Sequence, residues 1–280
     1  MNTLQLPAPA KLNLFLRVLN RQPSGYHNLQ TVFQLIDLCD LLTFQATQDG
    51  LIQVNCPGII ETDNIVFKAA KHLQRYLSPN HSLGVSIAID KRIPQGAGLG
   101  GGSSDAATTL LALNQLWGAK LSLPHLQDIG AEIGADVPVF INGRSAWAEG
   151  IGDQLTPIPL PNQWFLVVYP QCHSCTKRVF SAKELTRDQQ PITLSAFQNG
   201  QAENDCTPVA VKQYPAIETA LNWLKQFGEA KMSGTGSSCF VAFKDATNAQ
   251  SAYNKLPLDW QGFITKSLDH SPLHKRLGLI

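Results

Sequence analysis

The chain has almost no excess of charge of either sign. Its 280 residues hold 22 Lys and Arg against 21 Asp and Glu, a formal net charge of +1. That balance provides no basic stripe for nucleic acid and no cationic face for an anionic membrane, so neither is expected as a partner. It leaves room for a local basic pocket that takes a small phosphate compound. Long apolar runs are also missing: none reaches the roughly 18 residues that span a bilayer. The opening "MNTLQLPAPAKLN" has no basic segment followed by an apolar one, so no signal peptide is read and the cytoplasm is the expected location. There is no internal repeat, low-complexity tract or charged tail. The six cysteines are mostly isolated. Cys172 and Cys175 have CxxC spacing, but no second Cys or His pair follows for a structural zinc site. Their surroundings, "YPQCHSCTKRVF", also show no clear redox context, so reduced bystander thiols are the simpler reading. Nothing marks an obligate assembly, and a monomer or weak homodimer is expected.

What is present describes an ordinary globular protein, 44% hydrophobic and 15% charged, long enough for two domains. "LTPIPLPNQW" holds three prolines within ten residues and marks the expected boundary, giving units 1–158 and 159–280. In the first unit, residues 12–18 alternate. Leu12, Leu14, Leu16 and Val18 share one face, and Lys11, Asn13, Phe15 and Arg17 the other, which predicts a strand with one apolar face. Residues 29–38, 41–47 and 83–90 read as further strands. "DNIVFKAAKHLQRYL" is an amphipathic helix capped by Asp63 or Asn64. Helices are predicted over about 103–117 and, capped by Ser122, to about 133. The second unit reads as strand 164–169, helical segments 177–185 and 208–227, strand 238–243, helix 247–255 and strand 262–266. Strands and helices mix without strict βα alternation, so the expected class is α+β.

One stretch stands apart: "IPQGAGLGGGSSDAA". Five of the seven residues from Gly96 to Gly102 are glycine. Glycine loses the most backbone entropy on folding, so such a run weakens a chain unless something requires bare backbone. The order is strand, glycine run, then a helix opening with Ser103, Ser104 and Asp105. A helix start offers unpaired N–H groups and partial positive charge, and glycines let further N–H groups converge on one anion. This is the pattern of a phosphate cradle. Gly96-x-Gly98-x-x-Gly101 also fits a dinucleotide-binding pattern. However, Pro94 interrupts the junction, and Trp117-Gly118 stands where an acidic residue should end a second strand. No Lys follows the glycines, so the Walker pattern is absent. The protein-kinase glycine loop leads into a strand, whereas this one leads into a helix.

These residues resemble the second motif of the GHMP kinase superfamily, the galacto-, homoserine, mevalonate and phosphomevalonate kinases. "PAPAKLNLFLRV" (7–18) resembles its first motif and "KMSGTGSSCFVAF" (231–243) its third. "GYHNLQTVFQ" (25–34), "GADVPVF" (134–140), "ENDC" (203–206) and "SPLH" (271–274) narrow the likeness. They point to the branch acting on a cytidine-diphosphate-linked methylerythritol in the non-mevalonate isoprenoid pathway. The resemblance covers essentially the whole chain. It implies a two-domain fold: an N-terminal ribosomal-protein-like ATP-binding domain, a C-terminal ferredoxin-like α/β sandwich, and the active site in the cleft between them. It implies ATP-dependent phosphorylation of the 2-hydroxyl of that small-molecule substrate, with Mg2+ carried in by ATP.

Residue by residue, the resemblance assigns catalysis to Lys11 and Asp136. Asp136 would be the general base, although on sequence alone a helix cap or turn residue before Val137-Pro138 is the simpler reading. Pro94, Gly96, Gly98, Leu99, Gly100, Gly101, Gly102, Ser103 and Ser104 are read as the ATP loop, with the two serines as candidates to touch Mg2+. Asn13 is read as a substrate contact. Tyr26 and His27 would hold the cytidine, with Phe33, Thr176 and Phe180 extending the pocket. Around Phe180 the wording departs from the family pattern, since Lys177 stands where a proline is usual. Gly234, Thr235 and Gly236 form either a tight turn or a loop closing over triphosphate and substrate. Asn204-Asp205 is read as a structural cap of the helix that follows.

Overall fold

The computed structural model describes residues 3–77 and 82–280. Two long antiparallel strands, β1 (Thr3–Arg21) and β2 (His27–Thr47), meet across the turn that holds Gly25 and Tyr26. β2 is the only strand that β1 ladders with among the described residues, apart from a single bridge from Leu16 to Asn204, so Pro7 and Pro9 leave no gap in a second ladder. The predicted alternation over 12–18 does not hold: Lys11, Asn13 and Phe15 are buried alongside Leu12, Leu16 and Val18. β1 is covered on both faces, and its register slips between Asn13 and Leu16, which changes the phase of the side chains. The two strands predicted over 29–38 and 41–47 run on as one.

β3 (Ile52–Asn55) lies parallel to β4 (Gly84–Asp90), with α1 (Ile65–Leu77) between them in sequence. Asn64 caps α1, its Oδ1 accepting the Val66 N–H at 2.9 Å. Next come α2 (Gly101–Leu116), α3 (Leu123–Ile133) with its Ser122 cap, and α4 (Val137–Asn142). The hairpin of β5 (Ala146–Glu149) and β6 (Gln154–Pro157) packs beside Thr31 to Phe33 of β2.

The second half holds β7 (Trp164–Tyr169), α5 (Thr176–Ser181), α6 (Leu194–Gln198), α7 (Thr207–Gln213) and α8 (Pro215–Leu224). It continues through β8 (Ala230–Met232), β9 (Cys239–Phe243), α9 (Ala246–Tyr253), β10 (Gln261–Leu268) and α10 (Pro272–Leu277). The helix predicted over 208–227 is two. Tyr214, ahead of Pro215, is forced out of the helical region to φ −136°, ψ 82°. β10 pairs with β7 and, at Ser267 and Leu268, with β2, so one mixed sheet runs in the order β3-β4-β2-β10-β7-β9-β8. The fold is α+β.

The largest core cluster packs α1, α2, α3 and α4 on β2 and β4. The second packs α7 and α8 on β7 and β9, and a smaller one joins Leu12 and Ile36 to Phe165 and Phe240 between them. Position 158 falls between β6 and β7, but the chain ends cross it: Leu16 and Val18 join the second core, and Leu273 joins the first. Each fully buried Leu or Phe contributes roughly 2 kcal/mol, so these cores can carry a glycine run that contributes nothing of its own. Among the described residues, no helix is long and apolar enough to cross a membrane.

Candidate active site

The glycine run is required first by the protein itself. Gly98 has φ +75°, and a β-carbon there would lie 2.2 Å from the Ser233 carbonyl oxygen. Gly100 has φ +72°, and a β-carbon there would lie 2.8 Å from the Phe140 ring and 3.1 Å from Lys11 Cε. Three segments thus close on this loop: β1, α4 and the loop 233–236. Gly100 is the N-cap residue, and α2 starts at Gly101, two residues earlier than predicted. The first backbone N–H groups of the helix, from Gly100 to Gly102, therefore belong to glycines. Ser103 faces the cleft. Ser104 is a correction: the helix rotates it into the interior, fully buried, and it does not line the cleft. Gly236 is another, since it packs against Ile217 and Met232 and lies behind the cleft wall that Gly234 and Thr235 line.

Lys11 is anchored to the loop by its own N–H, which donates to Leu99 O at 3.0 Å. Its ammonium donates to Asn13 Oδ1 at 2.5 Å, lies 3.3 Å from Asp136 Oδ2 and sits 5.2 Å from the Phe33 ring centroid. A buried ammonium is costly unless it is paired, and these three groups supply an acceptor, a charge and a π face. Asp136 occupies the N-cap position of α4, yet its side chain makes no capping hydrogen bond and is 34% exposed. The carboxylate is therefore free for other use. Asn13 has less freedom than the sequence implied. Its Oδ1 takes Lys11, its Nδ2 donates to Thr31 Oγ1 at 2.9 Å, and its N–H donates to Ser233 Oγ at 3.1 Å. Ser233 Oγ in turn donates to Gly98 O at 2.8 Å. The residue that orients Lys11 is thus tied through its backbone, by way of Ser233, to both glycine loops.

The cleft has a volume of about 1120 Å³. That exceeds a single drug-sized pocket and suits two ligands side by side. Beyond the loop, Cys56, Ile59, Asn64 and Ile65 form a wall that the sequence reading did not anticipate. On the other side stand Tyr26, His27, Thr176 and Phe180. His27 and Phe180 are stacked, with centroids 5.1 Å apart and planes 23° from parallel. Burial, then the charges of Arg187 and Arg21, holds the His27 pKa below its usual value, which favours a neutral ring. Thr176 Oγ1 and Thr235 Oγ1 lie 3.0 Å apart and link α5 to the third motif.

Lys91 and Asp105 also line the cleft and were not singled out. Lys91 Nζ lies 2.5 Å from Asp40 Oδ2 and 2.8 Å from Asp105 Oδ2. Asp40 Oδ1 also accepts the N–H groups of Arg92 and Ile93, at 2.6 and 2.8 Å, which fixes the chain entering Pro94. Asp105 has only Lys91, and its Oδ1 is buried without a partner. Burial pushes the Asp105 pKa up to about 8 against the pull of Lys91. A lone acidic residue in a helix with no other charge was the available signal.

Asn204 clamps the third motif, its Nδ2 donating to Met232 O at 2.9 Å and Gly234 O at 2.7 Å. Asp205 Oδ2 accepts the Val18 N–H at 2.8 Å. The pair is structural, but as a clamp on β1 and the loop, with Cys206 at the N-cap of α7. In the CxxC segment, Ser174 N–H donates to Gly96 O at 3.2 Å, and its Oγ donates to Thr235 O at 2.7 Å. That segment braces both loops, and all six cysteines are free thiols.

With this geometry in view, the comparisons with known proteins agree. The GHMP kinases N terminal domain matches residues 64–144, and the GHMP kinases C terminal domain matches residues 182–261. The chain belongs to the GHMP kinases. Within that class it belongs with the 4-diphosphocytidyl-2-C-methyl-D-erythritol kinases. The protein of that name from Nitrosococcus oceani is 50% identical over 95% of both chains. That from Halorhodospira halophila is 48% identical over 97% of this chain and 96% of its own. A crystal structure of 4-(cytidine 5'-diphospho)-2C-methyl-D-erythritol kinase superposes with TM-score 0.82 at 32% identity, covering 94% of this chain and 99% of that one. A mevalonate kinase structure shares the fold alone, with TM-score 0.69 and 18% identity over 95% and 100% of the two chains.

Proposed function

We propose that the chain transfers the γ-phosphate of ATP to the 2-hydroxyl of 4-diphosphocytidyl-2-C-methyl-D-erythritol, in the cytoplasmic non-mevalonate route to isoprenoids. The observation that carries this reading is the Lys11–Asp136 pair, 3.3 Å apart beside the start of a glycine-led helix. Phosphoryl transfer asks little covalent chemistry of a protein, mainly position and charge. The N–H groups of Gly100 to Ser103 would hold the phosphates. Mg2+ would be carried in on those phosphates, with Ser103 the hydroxyl of this turn that lines the cleft. Asp136 would take the proton of the attacking hydroxyl as that oxygen bonds to the γ-phosphorus and the bond to ADP breaks. Lys11 would keep Asp136 oriented and neutralise charge building on the transferred group. Tyr26, His27 and Phe180 would hold the cytosine. The test is ADP release with Mg-ATP on a panel: the cytidylylated compound, methylerythritol phosphate, homoserine and mevalonate. Turnover on the cytidylylated compound alone is expected. Turnover on another alcohol would keep the loop and Asp136 and overturn the substrate. ATP binding without turnover on any of them would overturn the activity.

A further inference from the structure

Arg187 lies outside every sequence motif, yet its guanidinium makes four hydrogen bonds. Nε–H donates to His27 Nε2 at 3.1 Å. Nη1 donates to Leu185 O at 3.0 Å, and Nη2 donates to Phe180 O at 2.8 Å and Ala182 O at 2.6 Å. The last two carbonyls end α5, where unpaired carbonyls and the helix field favour a cation. The imidazole belongs to the first residue of β2. One side chain therefore ties the turn that presents Tyr26 and His27 to the helix that presents Phe180.

The contact also dictates a proton position. A guanidinium carries donors and no acceptor, so Nε2 of His27 must accept. The proton of the neutral ring then sits on Nδ1. Among the described residues the ring has no other hydrogen-bond partner, and His27 lines the cleft. The charged groups around it are Arg187, Arg21 at the end of β1, and Lys177 of α5 on the same cleft wall. All are cationic, and Arg187 and Arg21 oppose a second proton on the ring.

We propose that Arg187 is the positioning residue of the nucleoside end of the cleft: it fixes His27 as the Nδ1–H tautomer and holds its ring parallel to Phe180, so that a neutral N–H donor faces the acceptor edge of a pyrimidine. Cytosine offers a carbonyl and an adjacent bare ring nitrogen on that edge, whereas uracil carries an N–H at the nitrogen. A fixed donor favours the first and clashes with part of the second. The inference rests on reading the cleft as a cytidine-diphosphate site.

Two measurements test it. Long-range proton–nitrogen correlation spectra of the 15N-labelled wild-type protein report the tautomer directly and need no variant. His27 is expected as Nδ1–H, titrating below the range of a free histidine, roughly pH 6.5. In Arg187→Gln the titration should move up toward that value, with burial still holding it below, and the ring should sample both tautomers. The KM for the cytidylylated substrate should rise about tenfold or more, comparable to losing one stacking partner, while kcat and the KM for ATP hold. The acid limb of its kcat/KM should lie at higher pH than in the wild type. Arg187→Lys should not rescue it, since an ammonium cannot reproduce the planar fork. An Nε2–H tautomer or an ordinary titration in the wild type overturns the role of Arg187 alone. If the tautomer is as expected but cytidine 5′-diphosphate shifts neither ring's resonances, the nucleoside role falls and the substrate reading falls with it.

Discussion

The two ends of the cleft are built from different materials. The phosphate end is backbone: five glycines in seven residues, a helix start and a second glycine loop pressed against it. The nucleoside end is side chain: rings from a turn after β1 and from α5, joined by an arginine farther along. A backbone site admits almost no substitution where the chain packs on itself. A side-chain site can be tuned one ring at a time. Loss at the first end should therefore be abrupt, and loss at the second graded.

The largest effect belongs where the ends meet. Asp136→Asn should keep the fold and ATP binding and lower kcat by about 10²–10⁴-fold, the range for losing an acid–base group. Near-normal turnover in a steady-state assay would remove the general-base role. It would also leave the cleft as two binding sites with no shared chemistry.

Next is the backbone end. Gly98→Ala combines a left-handed φ with a 2.2 Å approach to a backbone carbonyl that cannot swing away. A loss on the order of 3 kcal/mol is expected in denaturant melts, with weakened ATP binding. Gly96→Ala is the internal control. Its φ is +62°, and the atom in its way is 1.9 Å off, but that atom belongs to the exposed ring of His173. A swing of that ring leaves mainly the φ penalty, about 1–2 kcal/mol. Equal losses would mean that close approach is not what Gly98 is for.

Phe180→Ala sharpens the other side. It should raise the KM for the cytidylylated substrate by about tenfold, one stacked base, and leave kcat and the KM for ATP in place. A fall in kcat of the same size would show that the nucleoside end also sets the geometry of transfer.

The same contrast governs what could be read from sequence. The phosphate end was legible because a backbone site writes glycine into contiguous positions, and "GAGLGGG" has few other uses. The strand over 12–18 was legible as a strand but not in its facing, because a bulge between Asn13 and Leu16 leaves no mark in an apolar run. Lys11 and Asp136 were singled out only through the family likeness, since their meeting depends on how β1 and α4 both pack on the glycine loop. Arg187 was invisible: its four acceptors include three carbonyls, and carbonyl positions are not encoded by residue type. Ser104 was misjudged for a simpler reason. Starting α2 at Gly101 rather than Ser103 turns that hydroxyl inward.

The smallest effect asks whether the phosphate end is backbone alone. Besides the Lys11–Asn13–Ser233 set, a buried side-chain network of Asp40, Lys91 and Asp105 stands there. The Asp105 pKa stands at about 8 in the folded protein against an ordinary 3.8. Across that interval the folded state holds a proton that the unfolded chain has released. The group's contribution to stability is therefore full below about pH 4, declines as pH rises and is gone above about 8. The slope is at most about 1.4 kcal/mol per pH unit. Lys91, whose pKa is raised, keeps its contribution throughout this window and loses it only at more alkaline pH. Asp105→Asn keeps the shape and an acceptor for Lys91 but cannot ionise. Thermal melts from pH 5 to 9 should therefore show the wild-type decline flattened, with the variant the more stable protein at the alkaline end. The KM for ATP should stay within about threefold, well under one lost charged hydrogen bond. A tenfold rise would make Asp105 part of the nucleotide site and give the phosphate end a side-chain component that the glycine run conceals.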